Sequence, residues 1–474
     1  MEQLHDKQQQ VDTSSEDKSR LSQKSQQYEI ICIGFGPAAL AIAIAMHDRG
    51  LTNKNILFLE RQNEFGWHTG MLLPGTKMQI SFMKDLATMR NPQSYFTFAN
   101  YLHKHDRLAN FINLSTHTPF REEFNDYMKW CASHFGNRVC YGQEVVKVTP
   151  SKTISPNQAV ESFWVTIRDV ASGNIQHLNA KHVIVANGGE MSIPEGLSNS
   201  QLSDRVIHSS QYLKIVPNKF RDESSQCRFA VVGGGQSAVE IAEDLQSRYP
   251  RSHVTLVFRD SALRPSDDSP FVNEIFDPAS VDEFYSLKLA DRKQNLIRNK
   301  ATNYSVVRMH LIEGIYEKLY RQKLLKPDPR DWTLTLMPNT EVTSAVYSEA
   351  SSNHPLKLQL KNTVTGINSI TQDGFDLIVA ATGYVRNPFM GILEDLAPLL
   401  LPGSQKKGNL VQRNYRLLFQ PGSVVRDAGV WLQGSCEGSH GISDSLLSIL
   451  AIRADEILDS LLSCEKSVEN RARL

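Results

Sequence analysis

The stretch Tyr28-Glu29-Ile30-Ile31-Cys32-Ile33-Gly34-Phe35-Gly36-Pro37-Ala38-Ala39 decides the fold. A short apolar, β-branched run leads directly into a glycine turn. The turn leads into Leu40-Ala41-Ile42-Ala43-Ile44-Ala45-Met46, which has helical composition. Ile56-Leu57-Phe58-Leu59-Glu60 then reads as a second buried strand. Strand, glycine turn, helix and strand in that order form the context a dinucleotide-binding fingerprint requires. In such a turn the first glycine makes the bend and the second lets the backbone approach a pyrophosphate. The third small residue packs helix on strand. Gly34, Gly36 and Ala39 hold those places.

The pattern recurs about 200 residues later. Phe229-Ala230-Val231-Val232 runs into Gly233-Gly234-Gly235-Gln236-Ser237-Ala238, then a helical stretch, then Val254-Thr255-Leu256-Val257-Phe258. One glycine fingerprint is weak evidence; two, each with its strands, predict an α/β chain with two Rossmann-like dinucleotide-binding domains. Two further segments, Val183-Ile184-Val185-Ala186-Asn187-Gly188 and Leu377-Ile378-Val379-Ala380-Ala381-Thr382-Gly383, end in small residues, as strands do where a backbone passes close to a ligand.

What ends the second strand of each unit assigns the nucleotides. The first ends in Glu60, 26 positions after Gly34. A carboxylate there accepts from ribose hydroxyls and repels a 2′-phosphate, which suits FAD or NAD. The second ends in Arg259, 26 positions after Gly233, where a guanidinium fork matches the 2′-phosphate of NADP; an ordinary exposed cation is the competing reading. FAD at the first site and NADPH at the second is the economical assignment.

The rest of the chain bounds the answer. Its 474 residues allow two to three domains. Lys plus Arg and Asp plus Glu total 51 each, so no basic excess points to nucleic acid. Six cysteines without a CxxC pair argue against a redox dithiol, and no spacing suggests a metal site. Residues 1–27 have the composition of a disordered tail, without a signal peptide, and no stretch is apolar enough for a membrane span. The expected division is 28–215 for FAD, 226–370 for NADPH with a substrate-facing insert near 264–320, a return to the FAD unit over 371–462, and a flexible end over 463–474. A homo-oligomer in the cytosol is expected. Ala472-Arg473-Leu474, a variant of the Ser-Lys-Leu address, offers a peroxisomal alternative.

The remaining motifs make the chain resemble the microbial L-ornithine/L-lysine N-hydroxylating monooxygenases of siderophore biosynthesis, the ornithine type above all. They are Trp67-His68-Thr69-Gly70-Met71, Met78-Gln79-Ile80-Ser81-Phe82-Met83-Lys84-Asp85-Leu86-Ala87-Thr88, Ser269-Pro270-Phe271-Val272-Asn273-Glu274, Ala301-Thr302-Asn303-Tyr304-Ser305, Ala381-Thr382-Gly383-Tyr384 and His440-Gly441-Ile442-Ser443-Asp444-Ser445-Leu446-Leu447-Ser448. The resemblance implies flavin contacts at Glu60, Trp67, His68, Gln79, Val145, Ser445, Leu446 and Leu447. It implies NADP contacts at Gly233, Gly234, Gly235, Gln236, Ser237, Arg259, Asn303, Tyr304 and Ser305. The amino-acid site would be Lys84, Asn273, Asn303 and Ser448, giving a smaller substrate-binding region between the nucleotide domains. It further implies that NADPH reduces FAD, that O2 adds as a C4a-hydroperoxyflavin, and that the neutral side-chain amine of L-ornithine takes the distal oxygen. Gln79 would keep NADP+ in place, and no residue is assigned as general base. Lysine and diamine hydroxylases are the neighbouring readings, and a non-catalytic flavin sensor the distant one. Lys84 favours a substrate that carries a carboxylate. His208, in Val206-Ile207-His208-Ser209-Ser210-Gln211-Tyr212, is read equally as functional or as a linker histidine; His68 and His440 could simply bond backbone.

Overall fold

The computed structural model describes residues 27–152, 158–347, 354–387, 389, 391–403 and 410–472, with the side chains of 465–472 left aside. The expected N-terminal tail therefore lies outside the described residues, except Gln27, which opens the first strand.

The first fingerprint sits in a sheet built on strands β1 (Gln27–Ile33), β2 (Ile56–Leu59), β3 (Val139–Cys140), β4 (Gln143–Pro150), β5 (Phe163–Asp169) and β6 (Ile175–Val185). The order is β3-β2-β1-β6-β5-β4, and strand Gly429–Leu432 joins the C-terminal half of β6 in parallel. The strands β3, β2, β1 and β6 run parallel, and β5 and β4 extend them as an antiparallel ribbon. Strands β1 and β2 carry near-continuous apolar runs because the centre of a parallel sheet is covered on both faces. Helix Pro37–Asp48 covers one face, with every residue from Ala39 to Met46 buried.

The second sheet is wholly parallel, in the order Leu334–Met337, His253–Val257, Arg228–Val232, Leu377–Ala380, Val206–His208. Three expected boundaries change with it. Val206–His208 belongs to this sheet and not to a first unit reaching 215. Leu377–Ala380 also lies here, so the chain does not return to the FAD sheet at 371; the sheet regains it at Gly429–Leu432. The insert also ends earlier than 320: helix Met309–Leu325 buries Ile315 in the second core, packed against helix Gln236–Arg248. A parallel strand is recruited by register with its neighbours, and sequence order does not reveal which sheet supplies them. Helix Leu450–Ala472, which runs into the expected C-terminal end, covers the first fingerprint helix, and residues 473–474 lie outside the described residues.

Strands Thr340–Tyr347, Leu356–Asn362 and Asn368–Ile370 form a small antiparallel sheet beside the second unit. The two chain crossings between the units run side by side, Glu190–Met191 pairing with Tyr384–Val385. His208 belongs to this junction: its Nε2 lies 2.9 Å from the Gly383 carbonyl and its Nδ1 2.9 Å from Ser210 Oγ. No helix among the described residues is long and apolar enough to cross a membrane.

Candidate active site

Both glycine turns are shaped by close backbone approach. Gly34 has φ +88°, and a Cβ there would stand 2.8 Å from the Ala186 carbonyl oxygen; Gly233, at φ +143°, would meet that of Ala381 at 2.4 Å. The small residues ending the two later strands thus press against the first glycine of each fingerprint. A Cβ on Gly36, by contrast, would meet nothing within 4 Å. The two fingerprint helices begin at Gly36 and Gly235 without any side-chain cap. No side chain therefore occupies the first N–H groups of either helix, and uncapped N–H groups of that kind accept a pyrophosphate. Ala39 and Ala238 are fully buried at the helix–strand contact.

Glu60 is buried, and its carboxylate accepts from the Phe35 N–H (2.7 Å, Oε2) and the Gln62 N–H (2.9 Å, Oε1). Each oxygen keeps a further lone pair for a ribose hydroxyl. Val145, on β4, is buried in the first core. Arg259 is exposed just beyond strand His253–Val257, and Phe258 packs against Gly234, where a Cβ would come within 3.2 Å of the Phe258 Cβ. These groups fit FAD in the first unit and an NADP nucleotide in the second.

Between the units opens a cavity of about 390 Å³. Its wall gathers Trp67, His68, Gln79, Lys84, Gln236, Ser237, Asn273, Asn303, Leu446, Leu447 and Ser448, from segments as much as 381 positions apart in the chain. Residues expected at the flavin, the nucleotide and the amino acid meet at one place.

Local structure explains how each arrives there. Lys84 ends the short helical turn Phe82–Lys84, which Ser81 caps by accepting from the Met83 N–H. The buried Asp85 then anchors the chain by accepting from the N–H groups of Ala87 (2.9 Å), Thr88 (2.6 Å) and Phe98 (2.7 Å). Lys84 itself is partly exposed, with Nζ 3.8 Å from Asp277 Oδ1, at the long limit for an ion pair. Ser448 follows a loop held by Asp444, which is fully buried, accepts from the Cys436 N–H at 2.5 Å and pairs with Arg453 at 3.1 Å. The Ser448 hydroxyl is buried in the cavity wall with no hydrogen-bond partner among the described residues. A buried hydroxyl without a partner is costly, so its position on the wall points to a ligand group.

Asn303 is the last residue of helix Leu289–Asn303, and Asn273 the last of Pro270–Asn273. Asn273 Nδ2 donates to the Asp268 carbonyl at 2.8 Å, which leaves Oδ1 as its acceptor. Tyr304 and Ser305 lie just outside the cavity. The Tyr304 hydroxyl is bonded to Glu437, with Ser445 Oγ 3.5 Å away; burial first, then Glu437, pushes its pKa up to about 12. Ser305 takes a left-handed turn, φ 59°, against Gly235.

Sequence motifs alone missed several groups. Arg121 makes a two-pronged bond to Glu240, Nη1–Oε2 2.7 Å and Nη2–Oε1 2.9 Å, tying the first unit to the second fingerprint helix. The signal was a buried glutamate on the apolar side of Val239-Glu240-Ile241-Ala242. Met71, Met78, Ile80 and Phe276 supply apolar wall, and Asp268, Arg308 and Tyr384 polar wall. His440 sits behind the site, its Nε2 3.0 Å from the Arg413 carbonyl and its ring stacked 4.2 Å from that of Tyr415, so it is a backbone-bonding histidine. His68 lies at the cavity mouth with Nδ1 3.3 Å from the Tyr384 hydroxyl. The thiols of Cys32, Cys131 and Cys436 are pushed up by burial, away from any nucleophilic role. Among the described residues no cluster of His, Cys, Asp and Glu could hold a metal ion.

Two dinucleotide folds flanking a shared cavity define a two-nucleotide flavoprotein oxidoreductase. Within that class the chain belongs to the L-lysine 6-monooxygenase/L-ornithine 5-monooxygenase family, whose profile matches residues 26–386. It is 57% identical to an L-ornithine N(5)-monooxygenase of Ajellomyces capsulatus over 455 residues, 96% of this chain and 95% of that one. An ornithine hydroxylase of Pseudomonas aeruginosa superposes with a TM-score of 0.82 at 38% identity, covering 93% of this chain and all of the other. An ornithine N-hydroxylase of Kutzneria sp. 744, solved with reduced FAD, NADP+ and L-ornithine, gives a TM-score of 0.83 at 31% identity, over 93% of this chain and all of that one.

Proposed function

We propose that this chain hydroxylates the side-chain amine of L-ornithine to N5-hydroxy-L-ornithine, using NADPH and O2, for hydroxamate siderophore biosynthesis. One observation carries the reading: a cation, two amides and an orphaned buried hydroxyl share a cavity wall with the residues assigned to both nucleotides. The bound flavin and nicotinamide nucleotide supply the redox chemistry, hydride from NADPH and activation of O2.

The chain's own residues hold the amino acid. Lys84 binds the α-carboxylate in place of its loose contact with Asp277, and Asn303 donates to the same group. Asn273 Oδ1 and Ser448 Oγ accept from the α-ammonium. Held at that end, the side chain reaches toward Trp67, Gln79 and the flavin. A free alkyl amine titrates near ~10.4 and is mostly protonated at neutral pH. The wall of Met71, Met78, Ile80 and Phe276 favours the neutral, nucleophilic form by disfavouring the charge. The same wall excludes water from the reacting atoms. Gln79 keeps the nicotinamide nucleotide against the flavin after hydride transfer.

The deciding assay measures NADPH oxidation and hydroxylated product with ornithine, lysine and putrescine side by side. Ornithine should exceed lysine in kcat/KM by roughly tenfold or more, the worth of one methylene in a fitted pocket. Putrescine, which lacks the carboxylate, should be poorer still. Lysine turning over better than ornithine would reassign the substrate, and putrescine matching ornithine would remove the role given to Lys84.

A further inference from the structure

One guanidinium at the junction of the two units makes contacts that neither the fingerprints nor the amino-acid residues account for. Arg308 follows the short strand Val306–Val307, five positions beyond Asn303. Its backbone N–H donates to Gln236 Oε1 at 2.9 Å, and Gln236 is the first residue of the second fingerprint helix. Its Nη2 donates to the Gln79 carbonyl at 2.7 Å, across 229 positions of sequence. Its Nη1 is bonded to Asp268, whose own carbonyl accepts from Asn273 Nδ2. The side chain stands between the 390 Å³ cavity and a larger one of about 1100 Å³ behind it.

We propose that Arg308 is a positioning residue that couples the nicotinamide nucleotide to the amino-acid pocket. The guanidinium is a rigid planar fork, so the directions of its donors are fixed relative to each other. One prong sets Gln79 and the other sets Asp268, and Asp268 orients the Asn273 amide so that its oxygen faces the cavity. The backbone of the same residue holds Gln236 at the mouth of the nucleotide turn. A nucleotide that settles against Gln79 and Gln236 therefore stiffens Asn273, and an amino acid bound to Asn273 stiffens Gln79. Tightening must be mutual, because coupling between two binding sites is reciprocal. The amino-acid half of this proposal rests on the pocket assignment made above; the nucleotide half does not.

The test uses full-length, FAD-loaded protein and binding rather than turnover. NADP+ is titrated by the change in flavin absorption, with and without saturating L-ornithine, for wild type, Arg308→Met, Arg308→Lys and Asp268→Asn. Ornithine should tighten NADP+ in wild type by roughly fivefold or more, the lower end for coupled sites. Arg308→Met should bring that ratio close to one and weaken NADP+ alone by about tenfold, through the lost charge-assisted contact to Gln79. Arg308→Lys, which can fill one of the two prongs, should lie between. Asp268→Asn should lower the ratio while leaving NADP+ affinity alone near wild type. A general loss of structure would weaken flavin retention as well, so flavin content and melting temperature close to wild type belong to the expected result. A wild-type ratio of one, or an undiminished ratio in Arg308→Met, overturns the proposal. If Arg308→Met fails to fold, an undiminished ratio in both Arg308→Lys and Asp268→Asn does so. Should wild type bind NADP+ but no ornithine, the pocket assignment falls; wild-type NADP+ affinity in Arg308→Met would then overturn the nucleotide half too.

Discussion

The two dinucleotide units share a turn, a helix and a strand, and they differ in how deeply these are sunk. The first fingerprint helix is buried from Ala39 to Met46 and packs against helix Leu450–Ala472, and Glu60 beside it is only 6% exposed. The second buries one face, through Ala238, Val239, Ile241, Ala242 and Leu245, and Arg259, which follows its second strand as Glu60 follows the first, is exposed. A walled-in site suits a cofactor that stays through every turnover, and an open rim suits one that must arrive and leave. Similar motifs thus serve a resident flavin and an exchanging nucleotide, with burial as the difference between them.

The sharpest way to break that division of labour is to damage the amino-acid site alone. Lys84→Ala should leave both nucleotide units intact, so anaerobic flavin reduction by NADPH stays near wild type in stopped flow. Hydroxyornithine yield should fall on the order of 100-fold, because the amine is no longer held in place, with hydrogen peroxide formed instead. Slowed reduction with intact coupling would move Lys84 into the nucleotide site.

Glu60→Leu probes the buried unit. It removes the acceptor for the Phe35 N–H and leaves that donor orphaned, costing about 1–3 kcal/mol before any ribose contact is counted. Flavin retained after gel filtration should drop several-fold, while NADP+ affinity of the remaining holoenzyme holds. Full flavin content would mean that Glu60 only braces the turn.

Arg259→Ala probes the exposed unit, where solvent and salt weaken the contact. The KM for NADPH should rise roughly tenfold and that for NADH hardly at all, since only NADPH carries the 2′-phosphate. An unchanged preference between the two would show that Arg259 does not read that phosphate.

The smallest effect concerns the core of the first unit. His182 is fully buried on β6 with both ring nitrogens unpartnered among the described residues, and burial lowers its pKa to about 4; His440 is lowered to about 4 in the same way. Folded-state values below the unfolded ~6.5 mean that the unfolded chain binds protons first as pH falls. Stability should be full above about pH 6.5 and decline toward pH 4, visible as a falling Tm. His182→Leu should flatten part of that decline, because it removes one proton-binding difference. An unaltered Tm profile would mean that His182 contributes nothing to it.

Much of this was legible in the sequence because it depends on local chemistry. Gly34-Phe35-Gly36 and Gly233-Gly234-Gly235 announce the turns, since few other residues tolerate the positive φ of Gly34 and Gly233 and the carbonyls pressed against them. Glu60 and Arg259 each stand 26 positions after the first glycine of their turn and just beyond a strand, so spacing alone picked out opposite charges at matching places. The sheets claimed by Val206–His208 and Leu377–Ala380 were not legible, because a parallel strand carries no mark of its neighbours. Nor were the bonds of Arg121 to Glu240 and of Arg308 to Gln79, 119 and 229 positions apart. A charged side chain has the same composition whether it is solvated or clamped. Sequence by itself determined two dinucleotide turns, each followed by a residue of opposite charge, because turn geometry and the residue after the second strand are set within about thirty residues. Only the tertiary structure decided that Lys84, Asn273, Asn303 and Ser448 share one wall and that one guanidinium spans both units, because those meetings depend on how two sheets and their crossings pack.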